Sequence, residues 1–369
     1  MEEIKPYLSI IMASRNDDYQ GNALSRLQMV VNNLIDQAKQ YNLRAELIIV
    51  DWNPPSDKPL LKDAVFLPDD LGPSIVRFIT VPSSIHKTYR CSDKIKIITV
   101  AALNVGIRRA EGEFIWTTNS DLLFSDELMR FLSSEKLERD CFYRAFRYDV
   151  NGDVLKYNSQ KERLDFCKNN IIQAFLETKN SIHGLPNYPI LQTGCGADFI
   201  VFSKEYWERL HGYPEINNLG FSADVLLCYM AYLAGLEEKV LEKSMRVYHI
   251  DHDSRWRHLS RDRVYSFFKD RVCDWIGYPD KWKTLLRQIY IFQNKFSNFF
   301  VNIFYSLFGS FLKKYSDPES WDFNLKYLHW EFRKLLISML KNKRSYVYND
   351  DNWGLPNENF AEFVIKNES

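Results

Sequence analysis

The segment Glu113-Phe-Ile-Trp-Thr-Thr-Asn-Ser-Asp121-Leu-Leu-Phe-Ser-Asp126 sets a carboxylate, Asp121, two residues after an amide, Asn119. An apolar β-rich run precedes the pair, and the opening of a helix follows. An acid at the carboxyl end of a strand lies where open α/β sheets bind their ligands. A single Asp beside Asn119 and Ser120 suits a divalent cation that also holds a diphosphate, since such cations take oxygen ligands from protein and phosphate together. An Asp after a strand also serves as a plain helix N-cap, so the surrounding chain must decide between the two.

The elements that would position Asp121 follow from apolar periodicity. Tyr7 to Met12, Glu46 to Val50, Val76 to Val81 and Glu113 to Thr118 read as strands. Leu24 to Gln40 and Ile97 to Arg109 have helical spacing between them. Strands separated by helices imply a mostly parallel sheet with right-handed crossovers, an α/β fold. Residues 140–190 are mixed and polar. Beyond them, Gly194 to Phe202 reads as a strand, Lys204 to Leu210 as a short helix, Ala223 to Ala234 as a helix capped by Gly235, and Met245 to Ile250 as a last strand.

Bulk composition excludes several classes. Forty-eight basic and 48 acidic residues cancel, so no general field for nucleic acid or membrane exists. The six cysteines are scattered without a Cys-x-x-Cys, as expected of thiols in a reducing compartment. Cys195, between two glycines, reads as a small buried residue because no histidine is spaced to activate it. The start of the sequence has no signal-peptide pattern, and no run reaches the roughly 18 apolar residues that span a bilayer. A cytoplasmic protein is the expectation.

Five segments then fall into order: Ser9-Ile-Ile-Met-Ala-Ser-Arg-Asn16; Ile48-Ile-Val-Asp51; Ala102-Leu-Asn-Val-Gly106 running into Asn119-Ser-Asp121; Gly196-Ala-Asp-Phe with Leu210-His-Gly-Tyr-Pro-Glu215 and Phe221-Ser-Ala-Asp224; and Val247-Tyr-His249. This order resembles GT-A-fold glycosyltransferases, in particular the large inverting family of cellulose-, chitin- and capsule-building enzymes, over roughly residues 6–255. The resemblance implies a Rossmann-like central sheet flanked by helices, a nucleotide-diphospho-sugar donor, a glycan acceptor, and Mn2+ or Mg2+. It implies that Asp51 reads the nucleotide base and that Asp121 is the metal-binding acid of an Asp-x-Asp motif. Asn119 stands where that motif has its first Asp. Asp224 matches the catalytic base, with Ala223 where the family has a second acid. His249 and His252 match the late metal ligands. Donor contacts are implied at Ser14, Arg15, Asn16, Trp52, Lys94, Asn104, Asn119 and Ser120.

The chemistry asks for these groups. Departure of a diphosphate needs charge neutralisation, and an acceptor hydroxyl attacks once a carboxylate takes its proton. Plainer roles stay open. Asp224 also suits an N-cap of the helix at Val225, and Asp51 a turn former before Trp52-Asn-Pro-Pro. Trp52 is either a stacking platform or core. Arg15, Arg90, Lys94, His249 and His252 also suit a solvated surface. A sugar nucleotidyltransferase is a rival enzyme class, but it wants a Gly-rich loop where this chain has Ala13-Ser-Arg-Asn-Asp-Asp-Tyr. A non-catalytic nucleotide- or sugar-binding relative is the other rival.

Residues 1–255 are therefore expected to form the transferase domain, with 256–369 a helical C-terminal region packed on it. Phe296, Phe299, Phe300, Ile303, Phe304, Leu307, Phe308, Phe311 and Leu312 recur at helical spacing, with Lys295, Lys313 and Lys314 at the ends. That helix suits packing on the domain, a homo-oligomer contact, or a peripheral seat on the inner membrane face across 295–314. Trp321 to Leu340 reads as a second helix, and the polar tail from Asp350 as a segment folding back over the acceptor cleft.

Overall fold

The computed structural model describes residues 5–18, 21–89, 92–93, 95–176, 189–193, 196–216, 223–252, 332 and 334–367. The chain divides into two compact units, Met1–His252 with Arg344–Ser369, and Asp253–Lys343. In the second unit, residues 334–340 are helical, with Leu336, Met339 and Leu340 buried. The aromatic run 295–314 lies outside the described residues, so its three expected roles stay expectations. Among the described residues, no helix is long and apolar enough to cross a membrane.

The first unit is mixed α/β. In chain order its elements are β1 (Leu8–Ser14), α1 (Ala23–Tyr41), β2 (Ala45–Trp52), α2 (Leu61–Ala64), β3 (Ile75–Val81), α3 (Ser83–His86), α4 (Thr99–Arg109), β4 (Phe114–Thr117), β5 (Leu122–Phe124), α5 (Asp126–Ser133), β6 (Cys141–Arg144), β7 (Phe146–Val150), α6 (Gln160–Asn169), β8 (Ile171–Phe175), β9 (Ile200–Ser203), α7 (Lys204–Arg209), α8 (Ala223–Leu233), β10 (Glu237–Val240), β11 (Arg246–Ile250) and β12 (Ala361–Ile365).

The large sheet runs β10-β6-β9-β4-β1-β2-β3-β12. Its centre, β4-β1-β2-β3, is parallel, and β1 and β2 are buried along almost their whole length, as the centre of a parallel sheet is. α1 turns Leu27, Val30, Val31, Leu34, Ile35 and Ala38 into the core and ends at Asn42, whose φ of 53° is a left-handed cap. α4 lies close on β1 and β2. A Cβ on Gly106 would come within 2.5 Å of Ile11 and 3.2 Å of Val50. Gly106→Val should therefore cost about 1–3 kcal/mol by overpacking, read as a lower thermal midpoint; an unchanged midpoint would mean that α4 can lift off at no cost.

β9 runs antiparallel between β4 and β6, with Thr117 opposite Ile200. The residues just before β9 thus lie beside the residues just after β4. The strand expected over Gly194 to Phe202 is shorter than that: Gly196–Asp198 form a 3-10 turn, and 194–195 lie outside the described residues. A second sheet, β5-β11-β7-β8, begins immediately after Asp121.

At the C-terminal end, residues 344–369 group with the first unit. The tail crosses α4, where Arg109 donates to the carbonyls of Gly354, Leu355 and Glu358 at 2.8–2.9 Å. Trp353 is buried against the Arg108 guanidinium and the His211 ring. β12 then adds to the sheet antiparallel to β3, with Phe363 opposite Phe78. Arg77 of β3 pairs with Glu362 at 2.7 Å and also with the buried Glu46.

Candidate functional site

Register builds this site. β11 pairs antiparallel with β5 and parallel with β7, so His249 lies opposite Leu122 on one side and Asp149 on the other. The N–H of Ile250 donates to the carbonyl of Asp121 at 3.0 Å, holding the acid at the head of the new sheet. His252, three residues past His249, turns back onto it. Nε2 of His252 is 2.8 Å from Oδ2 of Asp121, and Nε2 of His249 is 3.7 Å from the same oxygen.

Asp121, His249 and His252 each offer a ligand atom within 4.8 Å of the others. Oδ1 of Asp121 is buried without a hydrogen-bond partner. A carboxylate with one idle oxygen, beside two imidazoles, fits a divalent transition metal better than Ca2+, which prefers all-oxygen shells. Burial opposes ionisation of Asp121. The hydrogen bond from His252 and the charges of His249, His252 and Arg26 outweigh it and hold the carboxyl below its ordinary value. A cleft of about 520 Å³, walled in part by Asn22, Arg26, Asn151 and Lys156, reaches His252 from solvent.

Three residues that the sequence did not single out complete the cluster. Burial disfavours the Asp149 carboxylate, but its neighbours His249 and Arg147 bring it down to about 2. Arg147 donates to Asp149 at 2.6 Å and to Asp198 at 3.1 Å. Asp198 also accepts from the amide of Asn119 at 2.8 Å, and its backbone carbonyl accepts from Thr118. Asn119 therefore faces Asp198, in keeping with the antiparallel entry of β9. Ser120, half-buried, completes that turn.

Asp224 sits in the first turn of α8. Burial raises its carboxyl, the N–H of Val225 and the Arg144 charge oppose this, and the Asp198 charge adds to it. Its N-cap-like bond and its raised carboxyl coexist, so the plainer role does not displace the chemical one. Tyr213, bonded to Thr117 at the end of β4 by a 2.7 Å hydroxyl contact, also feels the Asp224 charge.

Ser14 and Asp51 end β1 and β2 side by side. Asp51 accepts the N–H of Leu61, the first residue of α2, at 2.8 Å, and its other oxygen is buried without a partner. Burial pushes its carboxyl up to about 6, against the Leu61 bond and the Arg15 charge. Arg15 donates to the carbonyl of Asn53 and pairs with Asp17, while Asn16 donates to Pro59. These bonds pin the loops after β1 and β2 together. In the folded state Asp51 keeps a proton that an ordinary Asp, near 3.9, has lost. Its stabilising contribution is complete below about pH 4 and is lost as pH rises through about 6, by about 3 kcal/mol for two pH units. Asp51→Asn should flatten that loss in denaturation curves compared at pH 4.5 and 7; an unchanged slope would show that the carboxyl is not perturbed.

Two of the residues expected to contact the donor are engaged within the protein. Trp52 is wholly buried, its indole N–H bonded to His86 and its ring edge-on to His86 and Tyr89. Asn104 is also buried. Its amide donates to the Tyr213 carbonyl and to Glu215, and its oxygen accepts the N–H of Tyr213. That amide is saturated and fixes the His211–Glu215 turn onto α4. Lys94 and Arg90 lie outside the described residues, as does Cys195.

No family model matches the chain, and no curated protein matches it. Among solved structures, the mannosyltransferase PcManGT from Pyrobaculum calidifontis, in complex with GDP-Man and Mn2+, is similar over 92% of this chain and 89% of its own, at 13% identity and a TM-score of 0.41. TarS 1–349 from S. aureus, in complex with UDP-GlcNAc, is similar over 71% of this chain and 64% of its own, at 14% identity and a TM-score of 0.43. The chain thus spans just under two thirds of that second solved chain. At this distance neither assigns a role to any residue of the chain.

Proposed function

We propose that the chain is an inverting glycosyltransferase that moves a sugar from a nucleotide-diphospho-sugar to a hydroxyl of a glycan acceptor. The observation that carries this reading is the Asp121–His249–His252 cluster, with its idle buried carboxylate oxygen, at the carboxyl ends of the parallel strands. Asp51, at the end of β2, hydrogen-bonds the nucleotide base. Asp121, His249 and His252 would hold Mn2+ or Mg2+, and the chemistry such an ion would supply there is charge neutralisation for the departing diphosphate. Asp224 takes the proton of the acceptor hydroxyl as its oxygen bonds to the anomeric carbon and the carbon–oxygen bond to the diphosphate breaks. Attack from the face opposite the leaving group inverts the configuration.

A thermal-shift screen of nucleoside diphosphates with and without Mn2+ tests the reading. One nucleoside diphosphate should raise the midpoint more with Mn2+ than without; saturation at about 100 times Kd corresponds to about 2.7 kcal/mol. No shift from any nucleotide under either condition overturns it. Donor hydrolysis in the same buffer separates an enzyme from a binding protein, since a transferase without acceptor leaks its donor to water.

A further inference from the structure

We propose that Asp149 is the positioning residue that makes His249 a metal ligand, and that Arg147 holds the ring in the opposite, non-ligating tautomer. The inference rests on the metal-site reading above. Nδ1 of His249 has two polar neighbours, Nη2 of Arg147 at 2.9 Å and Oδ1 of Asp149 at 3.2 Å. A guanidinium can only donate and an ionised carboxylate can only accept. The two neighbours therefore demand different rings.

When Arg147 donates to Nδ1, the ring proton sits on Nε2, the nitrogen that faces Asp121. That ring has no lone pair to offer an ion. When Nδ1 carries the proton and donates to Asp149, the lone pair of Nε2 points at Asp121. Passing from one ring to the other, one proton leaves Nε2 and one arrives at Nδ1, exchanged through water. A carboxylate behind a ligating histidine is the usual device for fixing that tautomer.

His252 has no equivalent support. Its Nδ1 is buried without a hydrogen-bond partner. Freeing its Nε2 for an ion would bury an unsatisfied N–H. His249 is thus the ligand that the surrounding groups are built to prepare. Arg147 in turn holds Asp198, which accepts from Asn119. This chain of bonds links the amide of the Asn119-Ser-Asp121 turn to the ring tautomer.

The test uses the full chain without nucleotide. Long-range 1H–15N spectra at about pH 8 report which nitrogen of His249 carries the proton. Ion-free wild type should show Nε2–H, and Arg147→Met should show Nδ1–H. Mn2+ affinity, by calorimetry, should fall about 10- to 100-fold in Asp149→Asn and should rise in Arg147→Met. A doubly protonated ring, an Nδ1–H ring in ion-free wild type, or the same tautomer in wild type and Arg147→Met overturns the proposal. So does wild-type Mn2+ affinity in a folded Asp149→Asn. If that variant does not fold, the tautomer comparison still decides. Mn2+ binding no stronger in wild type than in Asp121→Asn would instead overturn the metal site itself, a separate outcome.

Discussion

Replacing Asp224 with Asn is expected to lower kcat about 10²- to 10⁴-fold, the range that a positioned general base supplies, while donor affinity changes little. Asn has nearly the shape of Asp and can still accept the N–H of Val225, so α8 should start as before. What disappears is the only site on that turn able to take a proton. Because burial lifts the Asp224 carboxyl above its ordinary range, the acid limb of the wild-type rate profile should lie above the roughly 3.9 of a free Asp. Activity rises with pH through that limb, since the base works only when ionised. Stopped assays of donor consumption with acceptor present, run from about pH 4 to 8, give both numbers. Near-normal turnover in the variant would remove Asp224 from the mechanism.

The second large effect belongs to Asp121. Asp121→Asn keeps an oxygen to accept the 2.8 Å bond from His252 but removes the only carboxylate of the metal cluster. Metal neutralisation of a leaving group is worth several kcal/mol, and each 1.4 kcal/mol is tenfold in rate. The rate should therefore fall by about 10²- to 10³-fold or more. Mn2+ should no longer raise the midpoint of the nucleotide complex. Loss of rate with Mn2+ binding intact would detach the cluster from the reaction.

Much of this architecture was legible because the parallel core writes itself as apolar runs. The strand expected over Val76 to Val81 is Ile75–Val81, and the helix expected over Leu24 to Gln40 is Ala23–Tyr41. Asp51 and Asp121 were readable because each follows such a run. The second sheet was not. β5 is three residues long, β7 carries Arg147 and Asp149 among apolar residues, and only pairing with β11 brings them to His249. Asp198 stood in a segment that sequence order highlighted, yet its partners come from strand reversal at β9, which no local pattern announces. The partners of Asn104 and Trp52 were hidden for the opposite reason: a motif shows a polar or aromatic residue, but not the tertiary contacts that engage it. β12 is exposed along most of its length, so it lacks the alternation by which a strand is recognised.

That last strand has a consequence for the order in which the molecule can be completed. Arg77 on β3 and Glu362 on β12 are 285 residues apart in the chain. Closing a loop of that length costs about 5 kcal/mol of chain entropy before any pairing is gained. On a ribosome adding about 5–20 residues per second, the β3 edge stays unpaired for roughly 15–60 s after it emerges. Once β10 has followed, it is the open edge of a sheet whose other strands are all made, a surface on which nascent copies stick to one another. A chain stopped after His252 should therefore yield less soluble protein than the full chain, with the deficit concentrated at β3.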